Sequence, residues 1–78
     1  MSKKQINLLI GKQRYPLTVS EEDEQAYRET ERLINNTINK YINWYGGNAD
    51  LNYENILSMA LLELGYGYLQ LKNQKEQE

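Results

Sequence analysis

The stretch INLLIGKQRYPLTV, residues 6–19, decides the fold class. Ile6, Leu8 and Ile10 alternate with Asn7 and Leu9, and Tyr15, Leu17 and Val19 alternate with Pro16 and Thr18, which is the period of two half-buried strands. Between them lies Gly11-Lys12, a two-residue connection with glycine first, as a type II′ hairpin turn prefers. That turn sets a register. It places Ile10 opposite Gln13, Leu8 opposite Tyr15 and Ile6 opposite Leu17, with the large apolar partners on one face. Pro16 has no N–H for a ladder, so its nitrogen should point away from the partner strand, as on a sheet edge. A hairpin alone is marginal in water and needs a cover.

The cover follows directly. Ser20 and Asp23 have the spacing of a helix N-cap and an acidic third helical position, and Glu21 and Glu22 suit the positive end of a helix dipole, so a helix is expected from near Glu21. Tyr27, Thr30, Ile34, Ile38, Tyr41 and Tyr45 then recur at steps of three and four, with Ile42 beside them, and Gly46-Gly47 ends the run. Residues 48–52 form a short polar connection in which Asp50 and Asn52 are both positioned to cap a second helix.

That second helix carries apolar side chains nearly all round. Leu57, Ala60, Leu64 and Leu71 form one seam, with Tyr53 and Gly67 at the same steps, while Met59, Leu62, Tyr66 and Leu69 form another on a neighbouring face. One hairpin and one helix cannot cover both. A helix that is apolar all round must be buried all round, so a second copy of the chain is the expected cover. Gly65 and Gly67 each cost about 1 kcal/mol of helix propensity relative to alanine, which close approach of another backbone, a kink or a helix end would explain. The polar tail from Lys72 to Glu78 is expected to fray unless a coiled coil runs on through it.

Composition narrows the function. Seventy-eight residues make one domain with a thin core, and the absence of cysteine excludes both a disulfide framework and a thiolate metal site. The chain also has no histidine, the commonest general base and metal ligand. No carboxylate pair, nucleophile-base set or phosphate loop emerges, so neither an enzyme nor a cofactor or small-molecule substrate is expected. No apolar run is long enough to cross a bilayer and the N-terminus lacks the apolar core of a signal peptide, so the expected setting is soluble and intracellular. The net charge of −2 is unevenly spread, from four basic residues and no acid over residues 1–19 to six acids against Arg28 and Arg32 over residues 20–32.

The order of parts resembles the ZapA family of bacterial cell-division proteins. The resemblance rests on Ile10-Gly11-Lys12 closing the first strand, the aromatic-led second strand from Tyr15 to Val19, the acidic helix start SEEDE, the Ile34-Asn35 pair and the Met59-Ala60-Leu61 run. It implies an α+β fold, with an N-terminal β-hairpin packed on a helix and then a longer C-terminal helix that forms a coiled-coil-like oligomer interface. On this reading residues 1–50 are a ββα head and residues 51–78 an oligomerisation helix, with Leu57, Ala60, Leu61, Leu64, Gly67, Tyr68 and Leu71 at the interface. The resemblance also implies a non-enzymatic scaffold in the cytoplasm at the division site, which binds the tubulin-like protein FtsZ and cross-links its filaments. Members of the family pair through the C-terminal helix, and two dimers can join into an antiparallel tetramer. Family members run further through the coiled coil than Glu78, and a helix from Tyr53 to Glu78 spans only about 40 Å, so a dimer is favoured over the tetramer and a longer parent protein is one explanation.

Basic residues of the head are the candidate filament contacts. The resemblance implies this role for Lys12, by its place after the turn glycine, because family members use basic residues of the head to meet an acidic filament, whereas Arg14, Arg28 and Arg32 take it from position on the expected surface alone. A purely structural reading competes for the arginines, because Glu24 and Arg28 are four apart and Glu29 and Arg32 three apart. The seven tyrosines fall mostly at helical spacing on apolar faces, where packing explains them better than base stacking. Trp44 fits equally a cap on the apolar cluster or an interface position. Two alternatives share much of the pattern: a dimeric ribbon-helix-helix-like DNA-binding protein and a bare dimerisation module. Nucleic acid is disfavoured because SEEDE would lie close to a bound phosphate backbone and repel it.

Overall fold

The computed structural model describes residues 2–47 and 51–77. Strand β1 (Lys3–Ile10) pairs antiparallel with β2 (Gln13–Ser20), a 3-10 turn spans Glu21–Asp23, and two helices follow, α1 (Glu24–Tyr45) and α2 (Tyr53–Gln77). This is the α+β architecture expected, a hairpin and then two helices with the second the longer. The chain divides into two compact units, Met1–Thr37 and Ile38–Glu78. Helix α1 supplies its first four turns to one and its last two to the other.

In the first unit the hairpin has the register its turn dictates. Ile10 lies opposite Gln13, Leu8 opposite Tyr15, Ile6 opposite Leu17 and Asn7 opposite Pro16. Gly11 has φ 62° and Lys12 has negative φ, the combination that a II′ turn requires. Bonded and non-bonded pairs alternate along an antiparallel ladder. Leu9 turns its N–H and C=O outward to side chains of α1, so Asn7 and its partner Pro16, two positions on, also face outward and the proline nitrogen costs no ladder bond.

Ile6, Leu8 and Val19 form the buried core of this unit, with Ile10 partly buried beside them. The β2 half of the same face is less covered than expected, with Tyr15 50% and Leu17 37% exposed. The reason is lateral placement: α1 sends its bonds to β1, so the cover thins toward β2. The helix entry also differs from expectation. The first turn is 3-10, the α-helix begins at Glu24, and Ser20 Oγ donates to Asp23 Oδ2 (2.9 Å) without making a side-chain bond to the helix backbone. The Glu21 N–H is held instead by the Ser2 carbonyl (3.0 Å), which ties the start of β1 to the helix entry.

The second unit buries Ile38, Ile56 and Ala60. Helix α1 ends as expected before Gly46, whose N–H bonds the Ile42 carbonyl (2.6 Å), and a side chain at Gly46 would collide with that same oxygen. Asn52 caps α2 reciprocally: its Oδ1 accepts the Asn55 N–H (2.9 Å) while Asn55 Oδ1 accepts the Asn52 N–H (3.1 Å). The alternative cap, Asp50, lies outside the described residues. Helix α2 runs through Gly65 and Gly67 without ending, so a helix end near Gly65 does not occur.

Candidate partner-binding surfaces

Arg28, Glu31 and Asn35 stand three and four residues apart, in a polar row beside the apolar stripe of α1. All three face the outer edge of β1. Arg28 Nη1 donates to the Asn7 carbonyl (2.9 Å), Glu31 Oε2 accepts the Leu9 N–H (2.6 Å), and the Asn35 amide both donates to the Leu9 carbonyl (2.7 Å) and accepts the Gly11 N–H (2.7 Å). Together these side chains do what a third strand would do. The Leu9 N–H holds the Glu31 carboxyl below the usual glutamate range, with Arg28 and Arg14 acting in the same sense and burial opposing them.

The four basic residues proposed for partner binding are thereby separated. Arg28 is committed within the first unit, because besides Asn7 it pairs with Glu31 (3.4 Å) and, more loosely, with Glu24 (3.9 Å), while Glu24 also takes Lys4 (2.9 Å). Arg32 is exposed one helical step from this row and makes no ion pair among the described residues, so its spacing from Glu29 is not used. Arg14 is exposed and lies directly across the hairpin from Leu9. Lys12 is exposed at the turn. Leu9, Arg28, Glu31, Arg32, Asn35 and Asn36 line a groove between β1 and α1.

The second unit presents a different surface. Glu63 of α2 receives two donors from the end of α1: Lys40 Nζ (2.5 Å) and the Tyr41 hydroxyl (2.8 Å), both on Oε1. Lys40 holds the Glu63 carboxyl low, with Tyr41 adding to the effect, and the same bond raises Tyr41. Lys40 also lies over the rings of Tyr41 (5.2 Å) and Trp44 (5.4 Å). Trp44 packs edge-on against Tyr41 and Tyr45 yet stays 63% exposed, so it borders the cluster without closing it.

On both sides of this clasp α2 carries exposed apolar side chains. Leu61, Leu62 and Leu71 are 71%, 73% and 66% exposed, and Tyr66, Tyr68 and Leu69 are at least half exposed. Of the seven residues expected at the oligomer interface, the single chain already buries Ala60 and partly covers Leu57, Leu64 and Gly67, whereas Leu61, Tyr68 and Leu71 are open. Among the described residues no helix is long and apolar enough to cross a membrane, and no cluster of side chains has metal-ligand character.

A family model described as cell division protein ZapA matches residues 6–78, nearly the whole chain. The chain belongs to the ZapA family. No curated protein and no solved structure matches it. ZapA proteins are non-enzymatic cell-division proteins associated with FtsZ. The polar row missed by sequence reasoning includes Asn35, half of the Ile34-Asn35 pair already singled out; its spacing from Arg28 and Glu31 was the available signal.

Proposed function

We propose that the chain is a non-catalytic scaffold that self-associates through α2 and displays its head to FtsZ more than once, so that filaments are cross-linked at the division site in the cytoplasm. The exposure of Leu61, Leu62, Tyr66, Tyr68, Leu69 and Leu71 along a single helix carries the reading. An apolar surface that a chain leaves uncovered on this scale marks an interaction site, and a homodimer is the commonest way to cover one. Two faces are open, Leu61, Tyr68 and Leu71 on one and Leu62, Tyr66 and Leu69 on the other. A dimer through the first leaves the second for a tetramer.

In this reading residues 1–50 are the head and residues 51–78 the oligomerisation helix. Each head offers modest contacts from Lys12, Arg14 and Arg32, and repetition of the head converts them to avid binding. Arg28 contributes by holding β1 in place, as its three head partners require. No cofactor, metal or small-molecule substrate has a part in this function. The ribbon-helix-helix alternative needs one strand from each of two chains, whereas here β1 and β2 pair within one.

The test is co-sedimentation with polymerised FtsZ. The parent chain should pellet with filaments and bundle them, and Lys12→Glu should reduce the pelleted fraction several-fold while the dimer mass is unchanged. Equal pelleting by Lys12→Glu and parent would remove Lys12 from the contact, and failure of the parent to pellet would overturn the reading.

A further inference from the structure

Leu9 breaks the alternation of β1: Ile6, Leu8 and Ile10 share the inner face, and Leu9 is the one large apolar residue that β1 turns outward. A single exposed leucine needs no explanation by itself. Leu9, however, forms part of a groove with α1, where Arg28, Glu31, Arg32, Asn35 and Asn36 are its other lining residues. The charges in that groove are not balanced. Glu31 is matched by the Leu9 N–H and by Arg28, and Arg28 is matched by Glu31 and Glu24. What remains on the groove wall is Arg32, beside the one apolar side chain, Leu9. Arg14 lies across the hairpin from Leu9, outside the lining, and acts on Glu31.

The groove is also held in shape before anything binds. Both backbone polar groups of Leu9 are tied to α1, through Glu31 and Asn35, and the neighbouring carbonyl of Asn7 is tied through Arg28. A partner therefore has little ordering to drive in the strand wall. Arginine favours carboxylates that it can grip with two parallel bonds.

We infer that this groove seats an extended acidic segment of the protein partner, with an apolar side chain on Leu9 and a carboxylate on Arg32. The inference rests on the FtsZ-binding reading and names the contact within it. Duplex DNA, whose phosphates would also meet Arg32, offers no comparable apolar group to Leu9.

The experiment compares the full chain with Arg32→Glu, Arg32→Lys, Leu9→Ser and Lys75→Glu in co-sedimentation with FtsZ filaments. Circular dichroism and equilibrium mass check that each variant keeps the parent's fold and assembly. Arg32→Glu and Leu9→Ser should each lower the bound fraction at least fivefold, Arg32→Lys should retain part of it, and Lys75→Glu should bind as the parent. Arg32 is a surface residue, so Arg32→Glu remains decisive if Leu9→Ser does not fold. If the parent binds and both groove variants bind equally well, the groove is not the seat although FtsZ binding stands. If Arg32→Glu weakens binding but folded Leu9→Ser does not, the attraction is diffuse charge and the seat is likewise overturned. A parent that does not bind at all fails the broader reading as well, and so does an Arg32→Glu effect seen only on duplex DNA.

Discussion

Asn35 satisfies two backbone groups with one amide, and no other type of side chain of that length both donates and accepts in this way. Asn35→Ala strips the Leu9 carbonyl and the Gly11 N–H of their protein partners, and because the site is only partly buried the cost should be about 1–2 kcal/mol, read as a lower urea midpoint with unchanged slope. Glu31 gives the same edge a pH dependence. Its carboxyl is held low in the folded chain, chiefly by the Leu9 N–H, so it contributes stability that is fully present above the unfolded value of about 4.3 and is lost as pH falls through the folded value. Glu63, held low by Lys40 and Tyr41, acts with the same sign. Acid titration of the melting temperature should therefore show a loss below about pH 4.3 that Glu31→Gln makes shallower. Sequence spacing put Arg28 beside Glu24, and that pair forms, but at 3.9 Å it is the loosest of Arg28's bonds. The dominant partner, a carbonyl 21 residues away, was not legible because local spacing says nothing about which strand a polar row will meet.

The hairpin was legible in full because its determinants are local. A glycine at the first turn position fixes the loop, the loop fixes the register, and the register decides which way Pro16 points. The start of α1 was less legible: Ser20 and Asp23 have capping spacing, yet the Ser20 hydroxyl binds the Asp23 carboxylate directly and the first turn tightens to 3-10. In α2 the periodic seams marked apolar faces correctly, but sequence could not divide the faces between the chain's own cover and a partner. The structure draws that line, giving Ile56 and Ala60 to the chain and leaving Leu61, Leu62 and Leu71 open. Within the single chain an alanine side chain at Gly65 meets nothing within 4 Å. In a Leu71→Lys background, which removes the partner, Gly65→Ala should therefore raise helix stability by about 1 kcal/mol, measured as a higher thermal midpoint by circular dichroism. A fall in that midpoint would show that the single helix is not straight and open at Gly65.

The whole molecule has a thin core for its length. The first unit relies on three buried apolar residues and a set of side-chain bonds along a strand edge, and the second on Ile38, Ile56, Ala60 and the Glu63 clasp. Leu61, Leu62, Tyr66, Tyr68, Leu69 and Leu71 of α2 are exposed, whereas Tyr53, Leu57, Met59 and Leu64 are partly covered. Membership of the ZapA family associates the chain with FtsZ, and in the scaffold proposed above the open helix would be the means of presenting a head more than once. Charge placed on the open face should undo that assembly, so Leu71→Lys should shift the chain toward a single copy, because a buried lysine without a partner is costly. Sedimentation equilibrium of the parent chain is the most direct measurement of all. At micromolar concentration the parent should show a mass at least twice the 9.2 kDa of one chain, reduced by Leu71→Lys. A stably folded species of 9.2 kDa that persists at the highest attainable concentration would contradict it.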